Sequence, residues 1–219
     1  MVKIVAITQP LIEGVNTAEE FIAYAARVSN PGNQINSSTA SKLLKYLAKH
    51  KHWSPFEMVS VCMEIKTTRD IGRQILRHRS FSFQEFSQRY AFVDTTTFES
   101  REARLQDQKN RQNSLELEKD STLQVAWKNA QEEVAASCRK AYEWATKNGI
   151  AKEQARAVLP EGLTLSTMYM NGTLRSWIHY CELRMSNGTQ KEHREIATAA
   201  WNCILEKFPS LVEVLDGNT

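Results

Sequence analysis

Hydrophobic and polar positions from Val2 to Thr8 alternate well enough to predict a β-strand. Thr17-Ala18-Glu19-Glu20 then has the form of a capping box, opening a helix with Phe21, Ala25 and Val28 inward and ending near Ser29. Asn30-Pro31-Gly32-Asn33 is turn chemistry, after which Ser38 can cap a second helix carrying Leu43, Leu44 and Leu47. Val59, Val61, Met63 and Ile65 alternate with Ser60, Cys62, Glu64 and Lys66, a second strand. Ile71, Ile75 and Leu76 next give a helix an apolar face and set Arg73 and Arg77 one turn apart on one ridge. Tyr90 to Phe98, rich in aromatic and β-branched residues, predicts a strand returning from the intervening loop.

The next stretch, 114–148, is charged and helical in period, with Leu117, Trp127, Ala130, Val134 and Tyr142 apolar and Asn148-Gly149 as its stop. It predicts a structural arm or interface helix. Three more helices are expected over Ala151 to Leu159, Thr173 to Met185 and Gln190 to Phe208, the first ended by Pro160. No internal repeat or low-complexity linker divides the 219 residues, so one domain over 1–219 is expected.

Composition narrows the function classes. With 42% apolar residues the chain is globular, and 28 basic against 25 acidic residues leave a net charge of only +3, too balanced for non-specific nucleic-acid binding. Cys62, Cys138, Cys181 and Cys203 lie far apart with no Cys-x-x-Cys, which indicates neither a zinc site nor a disulfide framework and fits a reducing, cytoplasmic setting. No apolar run approaches the ~18 residues of a spanning helix, and Met1 to Pro10 lacks the apolar core of a signal peptide, so no membrane association is expected. The eight glycines form neither Gly-x-Gly-x-x-Gly nor a Walker loop, so any dinucleotide must bind outside a Rossmann or P-loop frame.

The chemistry concentrates in the run from Arg77 to Tyr90. Like charges one turn apart repel, so Arg73 and Arg77 should have an anion to offset them, and a guanidinium fork matches phosphate oxygens. Beyond Arg77-His78-Arg79 come hydroxyls (Ser82, Ser87), an acid (Glu85), amides (Gln84, Gln88) and a further guanidinium (Arg89), an inventory that suits a nucleotide better than a bare anion.

The run resembles a family signature, R-H-R-x-x-S-x-x-x-x-S-x-R, and fills its fixed positions with Arg77, His78, Arg79, Ser82, Ser87 and Arg89. The resemblance is to the flavin-dependent thymidylate synthases. It implies a dUMP site containing Gln74, Arg77, Glu85, Ser87, Gln88 and Arg89, and an FAD site sharing Arg77, His78, Arg79 and Glu85. His52-Trp53-Ser54-Pro55-Phe56-Glu57 resembles a second landmark of the family, which implies flavin contacts for His52, Ser54 and Glu57; on its residues alone it is a Ser-Pro turn with a surface histidine. Ser29 in Ala26-Arg27-Val28-Ser29 matches another short segment that reaches flavin.

Ala155-Arg156-Ala157-Val158-Leu159-Pro160 resembles the family's Ala-Arg-x-x-Leu-Pro element, whose arginine contacts the nucleotide. By the same resemblance Thr173, Arg175 and His179 take flavin-contacting places, with Asn171 an alternative to Thr173, and Arg184 the catalytic place against the uracil ring. His179 stands where many relatives carry Asn, and Gly188 where many carry His.

The expected fold is α/β of the α+β type, an antiparallel sheet flanked by helices. The resemblance implies reductive methylation of dUMP to dTMP, with 5,10-methylenetetrahydrofolate as carbon donor and NADPH-reduced FAD as hydride source. It also implies a homotetramer with active sites at subunit interfaces. The cysteine-dependent thymidylate synthases attack with a loop thiol, but Cys62 falls in a predicted strand and the other cysteines in predicted helices, so core packing is their expected role. An RNA-binding module is a different class of reading, since Phe81, Phe83, Phe86 and Tyr90 interleave with basic residues. A metal-dependent hydrolase built on His50, His52 and His78 is a third, although no carboxylate sits at ligand spacing and no metal is expected.

Overall fold

Four antiparallel strands in the order Val2–Ile7, Ser60–Thr68, Leu165–Thr173, Ser82–Glu85 form the sheet on which the rest of the chain is arranged. The computed structural model describes residues 1–119 and 121–215. The strands are β1 (Val2–Ile7), β2 (Ser60–Thr68), β3 (Ser82–Glu85), β4 (Arg104–Gln106), β5 (Ser114–Glu116) and β6 (Leu165–Thr173). The helices are α1 (Ala18–Ala26), α2 (Ala40–Lys49), α3 (Arg69–Ile75), α4 (Thr122–Lys147), α5 (Lys152–Ala155), α6 (Leu174–Arg184) and α7 (Lys191–Lys207).

One face of the sheet is apolar and packed, the other polar, as an antiparallel sheet permits. Val61, Met63 and Ile65 of β2 lie beside Gly172, Met170 and Met168 of β6, and all six are buried. Trp177, Ile178, Ala197, Ala200 and Ile204 of α6 and α7 complete that core with Ile22 and Leu44 of α1 and α2. The indole of Trp177 donates to the Val61 carbonyl at 2.9 Å, so the largest buried ring carries no unsatisfied donor. Outward, Glu64 takes Lys3 at 2.9 Å and the Tyr169 hydroxyl at 3.1 Å.

β6 is the element that the hydrophobic pattern hides. Its buried side is Ser166, Met168, Met170 and Gly172, while Leu165 and Tyr169 lie on the other side, so polarity does not alternate with position. Gly172 has to lack a side chain: a Cβ there would sit 2.4 Å from the Phe81 ring. Through β6 the signature run enters the sheet, since Ser82 to Glu85 pair with Asn171 to Met168 as β3.

Several predicted elements need correction. Tyr90 to Phe98 forms no strand beyond a single bridge from Phe98 to Thr164: Asp94 ties its carboxylate to Thr96 and Thr97, and the Val93 N–H is taken by the Tyr142 hydroxyl. The long helix begins at Thr122, capped by Ser121, because Ser114–Glu116 pair with Arg104–Gln106 as a hairpin. Trp127 and Val134 on that helix are exposed, whereas Tyr142 and Ala145 pack with Val93 and Ala155 in a small second core. α1 ends at Ala26, which leaves Val28 outside the helix and 70% exposed. Ser38 does not cap α2: it lies in a 3-10 turn, Ser37–Thr39, that Asn36 caps by accepting from Ser38 N–H, and Thr39 at the N-cap of α2 makes no side-chain cap bond. The segment 151–159 is one turn of α-helix followed by a 3-10 turn over Arg156–Val158. α3 ends at Ile75, so Arg77 does not share a ridge with Arg73, and Glu161 at 2.5 Å offsets Arg73 instead of a ligand.

Candidate active site

The α3–β3 connection folds back over the C-terminal end of α6. There Arg184, the last residue of α6, donates from Nε to Nε2 of His78 at 2.9 Å. Burial, with the nearby Arg184 charge, holds the pKa of His78 down to about 4, so the ring is neutral and its Nε2 is an acceptor. The terminal guanidinium nitrogens of Arg184 have no partner among the described residues. Tyr180, one turn earlier on α6, meets the His78 ring edge-on with centroids 4.9 Å apart.

Behind these rings lies a polar layer whose role the hydrophobic and charge patterns did not indicate. His193 of α7 is fully buried, with Nε2 3.1 Å from the Tyr180 hydroxyl and Nδ1 3.2 Å from Gln74 Oε1. Gln74 also donates to Gln190 at 2.8 Å. The Gln190-x-Glu192 pattern at the start of α7 was the available signal; nothing local distinguishes His193 from an ordinary core histidine.

β3 and β6 hold the acid of the site. Glu85 Oε1 accepts from Arg69 at 3.2 Å and from the Ser166 hydroxyl at 2.8 Å, contacts that orient the carboxylate from behind. Past β3, Ser87 is exposed and its carbonyl closes a turn onto the N–H groups of Tyr90 and Ala91. Gln88 is buried with its amide nitrogen unpartnered. Arg89 reaches Glu153 of α5 at 3.1 Å, and Lys152 donates to the Tyr90 carbonyl at 2.8 Å. Those two ties bring the signature run against the segment carrying Arg156, which has no side-chain partner among the described residues.

A second cluster joins the 52–57 turn to the first turns of α6. Glu57 pairs with Arg175, and the Trp53 ring meets His179 edge-on at 5.2 Å. Burial and the Arg175 charge lower the pKa of His179. Thr173 caps α6, its hydroxyl oxygen accepting from Ser176 N–H at 3.2 Å, so that oxygen is already engaged. Asn171 is exposed on β6 with no side-chain partner among the described residues. Ser176 in turn donates to the Ser80 carbonyl at 3.5 Å, linking this cluster to the Arg77-His78-Arg79 triplet. Ser29 and Ser54 are exposed with no side-chain hydrogen bond among the described residues, and His52 packs beside Tyr46 and His50.

A family model described as thymidylate synthase complementing protein matches residues 10–210. A probable flavin-dependent thymidylate synthase of Paramecium bursaria Chlorella virus 1 is 55% identical over 214 residues, covering 98% of this chain and 98% of the relative. The chain belongs to the flavin-dependent thymidylate synthase family. Another member, from Synechocystis, is 49% identical over 219 residues, with 98% and 99% covered. The crystal structure of a UMP/dUMP methylase, PolB from Streptomyces cacaoi bound with 5-Br UMP, superposes with a TM-score of 0.77 at 23% identity, over 99% of this chain and 93% of that one. That likeness supports the fold.

The charges suit the anionic ligands of a flavin-dependent thymidylate synthase. Arg77 and Arg79 are exposed and their side chains have no hydrogen-bonding or ionic partner among the described residues, so two guanidinium forks lie open next to the Arg184–His78 contact in sequence. A flavin dinucleotide needs such donors at its pyrophosphate, since the chain has no Gly-x-Gly-x-x-Gly turn to supply them. The thiols are placed for packing. Cys181 is fully buried and burial pushes its pKa far up, Cys62 lies on β2 with its pKa raised for the same reason, and Cys203 donates to the Val2 carbonyl from α7.

Proposed function

We propose that this chain methylates dUMP to dTMP, using 5,10-methylenetetrahydrofolate as carbon donor and NADPH as the source of reducing equivalents, with FAD as its bound cofactor. The observation that carries the reading is Arg184: its Nε is fixed on His78 while the two ends of its fork stay unpartnered among the described residues. A planar cation held by one nitrogen presents the other two as donors, which O4 of uracil can accept at once and N3 only when its proton has left and negative charge develops there.

C5 of uracil becomes a competent nucleophile only as negative charge spreads to that edge. Arg184 is the group that stabilises this charge, an interaction stronger in the transition state than in the ground state. The neutral His78 keeps the guanidinium plane from rotating without competing for its charge. Arg156, Arg89, Ser87, Gln88 and Gln74 grip the nucleotide, with Glu85 oriented toward it by Arg69 and Ser166. Arg77, His78, Arg79 and Glu85 at one end, and Ser29, His52, Ser54, Glu57, Thr173, Arg175 and His179 at the other, would hold FAD. When bound, the flavin supplies the two-electron reduction that turns a methylene into a methyl group. No thiol takes part.

The exposed apolar positions of α4, among them Trp127, Val134 and Trp144, are what a subunit contact would cover. A homotetramer with active sites at subunit interfaces is what the family resemblance implies, and those exposed positions are compatible with it. Four free thiols suit the cytoplasm. The test of the class is a visible spectrum of protein supplied with FAD, repeated after anaerobic NADPH. A bound flavin band that bleaches is expected; a protein that takes up no flavin overturns the proposal.

A further inference from the structure

Behind the nucleotide-facing residues, five side chains form a continuous hydrogen-bonded series whose direction is set from one end. Glu192, in the first turn of α7, accepts from Arg104 of β4 through Oε1 and from Gln190 Nε2 at 2.9 Å through Oε2. A carboxylate only accepts, so Gln190 must turn its amide nitrogen toward Glu192 and its oxygen away. That oxygen receives Gln74 Nε2 at 2.8 Å, which leaves Gln74 Oε1 facing His193 Nδ1 at 3.2 Å. An amide oxygen cannot donate, so the His193 proton sits on Nδ1. The lone pair on Nε2 then faces the Tyr180 hydroxyl, 3.1 Å away, which donates to it.

We infer that Glu192 is a positioning residue for methylation: acting through Gln190, it holds Gln74 in one amide orientation and His193 in one tautomer. The inference rests on the proposed placement of Gln74 against dUMP. Each link has a single consistent polarity, so reversing one amide would set two acceptors face to face on one side of it and two donors on the other. The charge states agree with it. Burial alone would raise the pKa of Glu192, but hydrogen bonds from Arg104, its own N–H and Gln190, together with the Arg104 charge, outweigh that and keep it ionised. His193 is held neutral, chiefly by burial and then by Arg184 and His78. The far end of the series bears on the reacting centre, since Tyr180 packs on the His78 ring that fixes Arg184. The near end is anchored on the β4–β5 hairpin and the residues just before it, since Lys191 also ties Glu116 of β5 at 3.0 Å and Glu102, ahead of β4, at 2.6 Å.

Glu192→Gln tests this, because the new amide can present oxygen or nitrogen to Gln190 and no longer dictates direction. Nitrogen NMR of histidine-labelled, ligand-free full-length protein reads the tautomer. In the wild type His193 should carry its proton on Nδ1 alone; in Glu192→Gln both tautomers should appear. The dUMP dissociation constant should rise about tenfold, the equivalent of one hydrogen bond, with the FAD dissociation constant unchanged. Gln190→Leu breaks the series without touching the Arg104 ion pair and should give the same two changes, so it carries the test if Glu192→Gln does not fold. A wild-type proton on Nε2, or a folded Gln190→Leu or Glu192→Gln protein that keeps the pure Nδ1–H tautomer, overturns the inference. The tautomer is read without substrate, so a wild type that makes no dTMP would sink the proposed function and leave this result standing.

Discussion

Arg184 Nε and His78 Nε2 lie 2.9 Å apart although 106 residues separate them in sequence. The contact joins the signature run to α6 and aims a guanidinium whose remaining nitrogens are unpartnered among the described residues. It therefore separates positioning from charge. Arg184→Lys keeps the charge and loses both the fork and the Nε contact. Single-turnover dTMP formation at saturating dUMP and folate should fall about a hundredfold or more, with FAD still bound. Arg156→Ala should instead weaken dUMP binding, turnover at saturation falling less. The reverse pattern would mean that the two arginines have exchanged roles.

Arg79 is an exposed cation with no protein partner among the described residues, and losing it should cost little stability. Arg79→Ala should keep the wild-type melting temperature while FAD affinity falls about tenfold or more, as expected for a lost charge-assisted hydrogen bond. Titrating FAD by flavin fluorescence measures this. Unchanged affinity would remove Arg79 from the flavin site.

His193 gives the protein a pH-dependent stability. Burial, with Arg184 and His78, lowers its pKa to about 4 from an ordinary value of 6.5. Between those values the unfolded chain binds a proton that the folded chain does not, so stability is lost as pH falls from about 6.5 to about 4 and is fully present above that window. His78 is shifted in the same direction, to about 4. Denaturation midpoints measured across the window should decline in the wild type and decline less in His193→Gln. Parallel slopes would show that His193 is not protonating there.

Much of the candidate site was legible because its residues are local in sequence. The Arg77–Arg89 signature, the 52–57 turn and the Arg156 element each carry their residues within a few positions, and the structure ties the second to Arg175 and His179. The sheet was less legible. β2 announces itself by alternation, but β6 buries Ser166 and Gly172 and exposes Tyr169, and a strand whose inner face holds a serine and a glycine has no period-two signal. Tyr90 to Phe98 failed in the opposite way: its aromatic and β-branched residues favour a strand, but Asp94 turns the backbone and Tyr142 takes the Val93 N–H. The Glu192–Gln190–Gln74–His193 series joins residues on α3 and α7, 116 apart in the Gln74–Gln190 pair, so no local pattern could assign its direction.

The placement of the thiols leads to a further expectation. Cys62, Cys138, Cys181 and Cys203 lie on a strand or on helices, none hydrogen-bonded to a base among the described residues. Single changes of each to Ala or Ser should leave dTMP formation within about twofold in every variant that folds, with Cys181→Ala losing stability because its side chain is fully buried. A folded variant that binds flavin and dUMP yet makes no dTMP would assign that thiol a chemical role.

In the proposed reaction the methyl group owes its reduction to NADPH through the flavin and not to the folate. A methylene carbon must gain two electrons to become methyl. If they come from the flavin, the folate leaves as tetrahydrofolate; if the folate supplies them, it leaves as dihydrofolate. Chromatography of the folate product, run beside dTMP after a reaction of the purified protein with dUMP, methylenetetrahydrofolate, FAD and NADPH, decides between them. One tetrahydrofolate per dTMP is expected, with no dTMP when NADPH is omitted; dihydrofolate formed in step with dTMP, or product without NADPH, would contradict this reaction.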